Sequence, residues 1–195
     1  MDIWKHALLA QRKFGGNPDD YYAIHKFIDS SKFFFHHAKH RLLLHNLFGI
    51  ELAVALFGDY IQNSEGRIVL VRDIAAEHCK EDLSGVVPTL YDWLKGNEVD
   101  FKIVIPDLED HPALKAFVMR PFLRTGLKSS LMLTCSDFGV YLVELFLGAQ
   151  AALTLVERLP VEQKVKHYLQ QFQFTERWQY TPDRKELIWL KEQTN

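Results

Sequence analysis

The sequence predicts a mainly helical α+β protein. An N-terminal helical bundle with a small β-hairpin is followed by a C-terminal α+β segment that holds a buried apolar helix. Three observations predict this. Apolar residues recur at 3–4 spacing through most of the first half, helix start and stop signals are frequent, and short apolar runs flank polar turns at a few places. With 48% hydrophobic residues, including 14 Phe, 7 Tyr and 4 Trp, the 195-residue chain can bury a sizeable core. Its 23 basic and 25 acidic residues give a net charge of -2, too balanced for a nucleic-acid footprint, so no nucleic-acid partner is expected. Ten Gly and seven Pro exclude collagen-like or Pro/Gly-rich disordered chains.

The elements follow in order. Asp2 to Phe14 reads as a helix closed by Gly15-Gly16. Asn17-Pro18-Asp19-Asp20 supplies a cap, a preset first turn and two acids at the positive end of the next helix, which carries Tyr21, Ile24, His25 and Ile28. A longer helical pattern spans about Lys32 to Leu56 and is interrupted at Gly49. Tyr60-Ile61 and Arg67 to Val71 flank a polar turn and predict a hairpin, and Ile74 to Leu83 a helix. Pro88 opens a short element with Trp93. The polar stretch at 95–98 divides a His/acid-centred domain (1–95) from an α+β domain or extension (98–195). There, 101–105 and 129–134 read as strands, and Ser136-Asp137 caps the apolar helix to about Leu159. Pro160 starts an amphipathic helix, and 178–190 suggests a terminal hairpin. No internal repeat or low-complexity tract is evident.

Cys79 and Cys135 stand outside any CxxC pair and read as buried, reduced thiols. The N-terminus lacks the apolar core of a secretory signal. The longest apolar stretch is interrupted by Glu144 and Gln150 and falls short of a membrane span, so a cytoplasmic location without membrane contact is expected. That stretch is apolar almost all round, and Phe33-Phe34-Phe35 spreads three rings over a wide arc. Both expect cover from the second half, a homo-oligomer or a protein partner.

Chemistry concentrates in the histidines. Four of the nine fall between residues 36 and 45, and His78 follows in a helix that carries Glu81 and Asp82. On helical geometry His37, Arg41 and His45 share the stripe of Leu44, Phe48 and Leu52. His78, Glu81 and Asp82 share a face with Ile74, and His25 shares one with Tyr21, Ile28 and Asp29. Polar groups on faces expected to be buried need partners, so they are expected to meet one another. Two readings compete. In one, His25, His40, His45, His78 and Asp82 hold a divalent cation of the Zn, Fe, Mn or Ni class. Glu81 then serves as general base and Arg41 neutralises a small-molecule or phosphoester substrate, a metal-dependent hydrolase. In the other, Arg41 pairs with Glu81 or Asp82 in a structural polar core, and the chain is a non-catalytic binding or assembly protein.

Three segments carry a family resemblance: Ile24-His25 to Asp29-Ser-Ser-Lys32, His40-Arg41 to His45 and Gly49-Ile50, and His78-Cys-Lys-Glu81-Asp82 with Pro88-Thr-Leu-Tyr-Asp-Trp-Leu94 after it. They resemble a family of small uncharacterised bacterial and phage proteins over about residues 18–95. The resemblance implies that His25, Asp29, His40, Arg41, His45, His78, Glu81 and Asp82 belong together, and it implies no activity. A weaker likeness is to HD-type metal phosphohydrolases. Their adjacent His-Asp pair is absent, since Asn46 follows His45 and Cys79 follows His78. The likeness is therefore one of chemistry only.

Overall fold

The computed structural model describes residues 2–97 and 102–180. Helix α1 (Ile3–Phe14) ends at Gly15, whose φ of 82° suits glycine alone. Helix α2 (Asp19–Ile28) begins after Pro18 with two acids in its first turn. The side chain of Asn17 does not cap it; the Asn17 amide instead donates to Ser64 Oγ at 2.9 Å. A 3-10 turn, Asp29–Phe33, prolongs α2, and a second, Ala38–His40, leads into α3 (Arg41–Leu44).

The long helix expected over 32–56 is thus several pieces. The chain bends by 61° between Ala38–Leu44 and α4 (Leu47–Phe57). The break falls at His45-Asn46 and not at Gly49. Asn46 is extended and caps α4 by accepting the Gly49 N–H at 3.1 Å, while its amide donates to Leu42 O at 2.8 Å. Gly49 sits inside α4 because a Cβ there would be driven onto the carbonyl of Leu44. The glycine therefore permits close approach across the bend rather than causing it.

Strands β1 (Tyr60–Gln62) and β2 (Ile68–Leu70) form the expected antiparallel hairpin, with Ile61 opposite Val69. Helix α5 follows at once (Val71–Asp82), three residues earlier than the Ile74 start expected, and a Thr89/Asp92 capping box opens α6 (Leu90–Leu94).

The second half is helical where strands are expected. Residues 102–108 belong to no strand, and at Val104 the side chain of Gln163 takes the place of a neighbour. Its amide accepts from Val104 N and donates to Val104 O, both at 2.9 Å. Helix α7 (Pro112–Thr125) precedes a 3-10 turn, Lys128–Leu133, that occupies the second expected strand. Ser130 Oγ bonds back to Leu127 O at 2.7 Å there, a local bond that competes with extended pairing. The apolar helix divides at Gly148 (φ 87°) into α8 (Asp137–Leu147) and α9 (Ala149–Arg158). Helix α10 (Val165–Gln171) starts five residues after Pro160. Of the expected terminal hairpin, Arg177–Gln179 is a 3-10 turn and residues 181–195 lie outside the described set. The mainly helical α+β class stands, with its hairpin in the first half.

One motif occurs twice, 90 residues apart, although the sequence shows no repeat. Asn46 (φ -161°, ψ 172°) and Ser136 (φ -155°, ψ 179°) open helices of 11 residues each, α4 and α8. Both helices end at a glycine with φ 87°, Gly58 and Gly148. Phe48-Gly49-Ile50 matches Phe138-Gly139-Val140, and Gly139 abuts the Thr134 carbonyl as Gly49 abuts that of Leu44. The carbonyl before each cap is also taken from outside. Trp93 Nε1 donates to His45 O at 3.0 Å, and Gln163 Nε2 donates to Cys135 O.

A single apolar cluster runs from Ala10 to Phe172 and includes Leu42, Leu44, Ile74, Trp93, Phe138 and Leu155. Of the three Phe rings, Phe34 meets Phe138 edge-on at 5.1 Å, while Phe33 is 82% exposed. On the outer faces of α8 and α9, Leu145 and Leu153 are exposed among the described residues. No single helix among the described residues is long and apolar enough to cross a membrane. Gly49→Ala and Gly139→Ala should each destabilise the protein by ~1–3 kcal/mol through overpacking against a fixed backbone. Urea denaturation checks this, and an unshifted midpoint in both variants would refute the close approach.

Candidate metal centre

Three elements deliver the site. The turn that prolongs α2 places Asp29 one helical turn after His25. The break before Asn46 frees His45 from helical geometry (φ -84°, ψ 63°), and α5 carries His78 and Asp82 on its inner face. Asp29, His45, His78 and Asp82 are none of them more than 5% exposed. One donor atom from each lies within 4.8 Å of all the others.

The individual spacings carry more information. His45 Nε2 is 3.2 Å from His78 Nε2, 3.3 Å from Asp82 Oδ2 and 3.6 Å from Asp29 Oδ1, and His78 Nε2 is 3.5 Å from Asp29 Oδ1. A tetrahedral ion with bonds of about 2.1 Å has donor edges of about 3.4 Å. The donors therefore stand where one cation could reach all of them. Asp29 Oδ1 is buried and faces only these two imidazoles, at long distances of 3.5 and 3.6 Å.

The surrounding groups hold these donors. Lys32 Nζ sits 2.6 Å from Asp29 Oδ2, and Arg41 Nε 3.3 Å from Asp82 Oδ2. His25 Nδ1 lies 3.0 Å from His78 Nδ1, behind the centre rather than in it. His40 is buried too, but its Nδ1 meets Ser31 Oγ at 2.8 Å and its ring stands edge-on to His45 at 5.2 Å. Glu81 is not one of the four donors, and its Oε2 lies 2.5 Å from His6 Nδ1. His36 and His37 are exposed, because the chain leaves helical geometry before them.

The structure thus joins His45, His78 and Asp82 to Asp29, sets His25 and His40 around them, and adds His6, which sequence reasoning passed over. His6 stacks on His78 at 3.8 Å between ring centroids. Its signal was present: His6, Ala7 and Ala10 form the buried face of α1, and small residues there let an imidazole reach inward. Asp29 was legible as the residue one turn after His25.

Burial governs protonation. It pushes His45, His78 and His40 below the ordinary value of 6.5 and His25 down to about 3, so these imidazoles are neutral, the form that ligates. Burial alone would raise Asp29 and Asp82. Hydrogen bonding from His78 and the charge of Lys32 at Asp29, and hydrogen bonding from His45 and the charge of Arg41 at Asp82, outweigh it and hold both carboxyls well below the carboxylate range. The sign for stability follows. As pH falls through 6.5 the unfolded chain takes up protons on imidazoles that stay neutral in the fold, so stability present above that value is lost toward about 3. The two aspartates add their own loss below about 3.8, as unfolded carboxyls protonate first. The urea midpoint of metal-stripped protein should therefore fall steadily from about pH 7 to about pH 4. A flat profile would mean that the imidazoles are charged in the fold.

No curated protein and no solved structure matches the chain. A family defined as a domain of unknown function, DUF6915, matches residues 1–102, just over half of the sequence and every residue of the His/Asp cluster. The chain belongs to the DUF6915 family.

Proposed function

We propose that this protein is a metal-dependent hydrolase whose centre holds one divalent cation between Asp29, His45, His78 and Asp82. The observation that carries the reading is that four spacings among two imidazoles and two carboxylates are 3.2–3.6 Å and that a donor atom from each lies within 4.8 Å of all the others. Two imidazoles with two carboxylates suit Zn, Fe, Mn or Ni, and differ from the Cys-rich sets of closed structural zinc sites. Two anionic ligands neutralise the cation. Lys32 and Arg41, both with partly exposed side chains, leave a positive rim that favours an anionic substrate such as a phosphoester. A cation so held lowers the pKa of a bound water and supplies the nucleophile.

The duplicated motif supports this reading. At the position of His45 the second half has Cys135, also wholly buried, with Leu131 and Met132 packed before it. The same backbone turn thus carries a thiol in place of an imidazole, so the turn does not require a histidine. The near-complete burial of the four donors favours the second reading, a structural polar core in a protein that docks partners through its exposed apolar faces.

Elemental mass spectrometry of the purified protein separates the two. About one Zn, Fe, Mn or Ni per chain is expected, with at least a tenfold loss of affinity in His45→Ala and Asp82→Asn. The loaded wild type should hydrolyse p-nitrophenyl phosphate and Asp82→Asn should not. Absence of metal after incubation with all four ions would overturn the proposal.

A further inference from the structure

We infer that the centre takes a second cation, held between His6 Nε2 and Asp82 Oδ1, a reading that rests on the metal site proposed above and extends it toward α1. The two oxygens of Asp82 face different imidazoles. Oδ2 lies 3.3 Å from Nε2 of His45, one of the four donors, and Oδ1 lies 3.6 Å from His6 Nε2. A separation of 3.6 Å is too long for a hydrogen bond, yet close to the edge of about 3.4 Å that two donors on one ion span. A carboxylate with one oxygen on each side is the ligand that joins two neighbouring cations. Asp82 stands in that position, at the end of α5 that passes over α1.

His6 has the surroundings of a metal ligand. Its ring is wholly buried, and Nε2 makes no hydrogen bond among the described residues. The other nitrogen, Nδ1, is held by Glu81 Oε2 at 2.5 Å, as carboxylates orient imidazoles that ligate metals. Stacking on His78 at 3.8 Å fixes the plane of the ring. Both its plane and its rotation are therefore set before any ion arrives. A cation displaces any proton from the nitrogen it binds, so the positions of the two donor atoms carry the assignment. Glu81 is here a positioning residue that acts through His6.

Two protein donors leave the remaining coordination of this ion to water and substrate, so it binds more weakly than the first. The purified protein keeps the tight ion, and the second fills when metal is added. One imidazole with one carboxylate suits Mn or Fe. Asp29 and Asp82 bring two negative charges against four from two divalent ions. The surplus, with Lys32 and Arg41 beside it, favours an anion that lies across both ions. Paired cations clamp the attacking and leaving oxygens of a phosphoester, which makes phosphoesters the substrate class of this centre.

The test titrates the metal-stripped full chain with Mn(II) and follows free and bound ion by electron paramagnetic resonance. The wild type is expected to bind about two Mn(II) per chain, the second at least tenfold more weakly, and to show a spin-coupled spectrum only when both are bound. His6→Ala should bind about one and give the uncoupled spectrum throughout. Glu81→Ala, a change at a partly exposed side chain, should weaken the second ion by ~10–100-fold and leave the first unchanged. A role for His6 in packing alone would not move the second ion in Glu81→Ala or create spin coupling in the wild type.

A wild type that stops at about one Mn(II) per chain however much is added would overturn the second site and leave the first standing. Two ions without spin coupling, or two ions retained in His6→Ala, would overturn it as well, because the extra ion would then sit elsewhere. Two coupled ions in a protein inert on p-nitrophenyl phosphate would support the paired site and overturn the hydrolytic reading. A wild type that takes up no metal would remove both ions together.

Discussion

Two carboxylates have to be ionised inside a hydrocarbon core, and the first half of the molecule is arranged around that demand. Asp29 and Asp82 are 1% and 5% exposed, and an unscreened charge so buried would cost several kcal/mol. Each is met from outside by a cation, Lys32 or Arg41, and from inside by neutral imidazole. Meeting the demand takes three departures from simple helix: the 3-10 continuation of α2, the break ahead of Asn46, and a start of α5 directly off the hairpin. Each looks like an irregularity of secondary structure in isolation. Together they bring donors from residues 29, 45, 78 and 82 to one point.

This explains which parts of the site could be read from the sequence. His78 and Asp82 lie on regular helix, so angular arithmetic found both and set them on one inner face. Asp29 was visible in the same way, one turn beyond His25. For His37 the arithmetic failed, because it assumed a helix through residues 34–37, where the chain is not helical. That assumption assigned His37 to the core stripe, where it does not lie. Gly49 carried a signal that was misread, since a glycine in a helical pattern marks either a break or a close approach and only the neighbouring carbonyl decides. His6 was hidden by distance: nothing local to α1 reveals that α5 passes over it. In the second half, 101–105 reads as a strand, but the partner that Val104 obtains is the amide of Gln163.

The duplicated turn sets two interiors in one frame. Asn46 and Ser136 have the same conformation, and a glycine closes each helix, yet one turn presents His45 and the other Cys135. Backbone geometry here depends on the cap, the close-approach glycine and an external donor to one carbonyl, none of which involves the residue that faces the interior. That residue was free to change in chemistry without disturbing the turn. The match escapes notice in sequence because the constrained positions are few and some are filled differently, Asn by Ser and Trp93 by Gln163.

The bond from Trp93 to the carbonyl of His45 has a consequence for observing the protein. The indole is fully buried, packs edge-on against Trp178 at 4.9 Å, and is joined through one hydrogen bond to the peptide of a candidate ligand. Displacement of His45 would shift that carbonyl, and with it the polarity and ring contacts that set the emission of Trp93. The molecule thus contains its own fluorophore at the edge of its polar centre, placed there by the need to satisfy a carbonyl at the end of a broken helix.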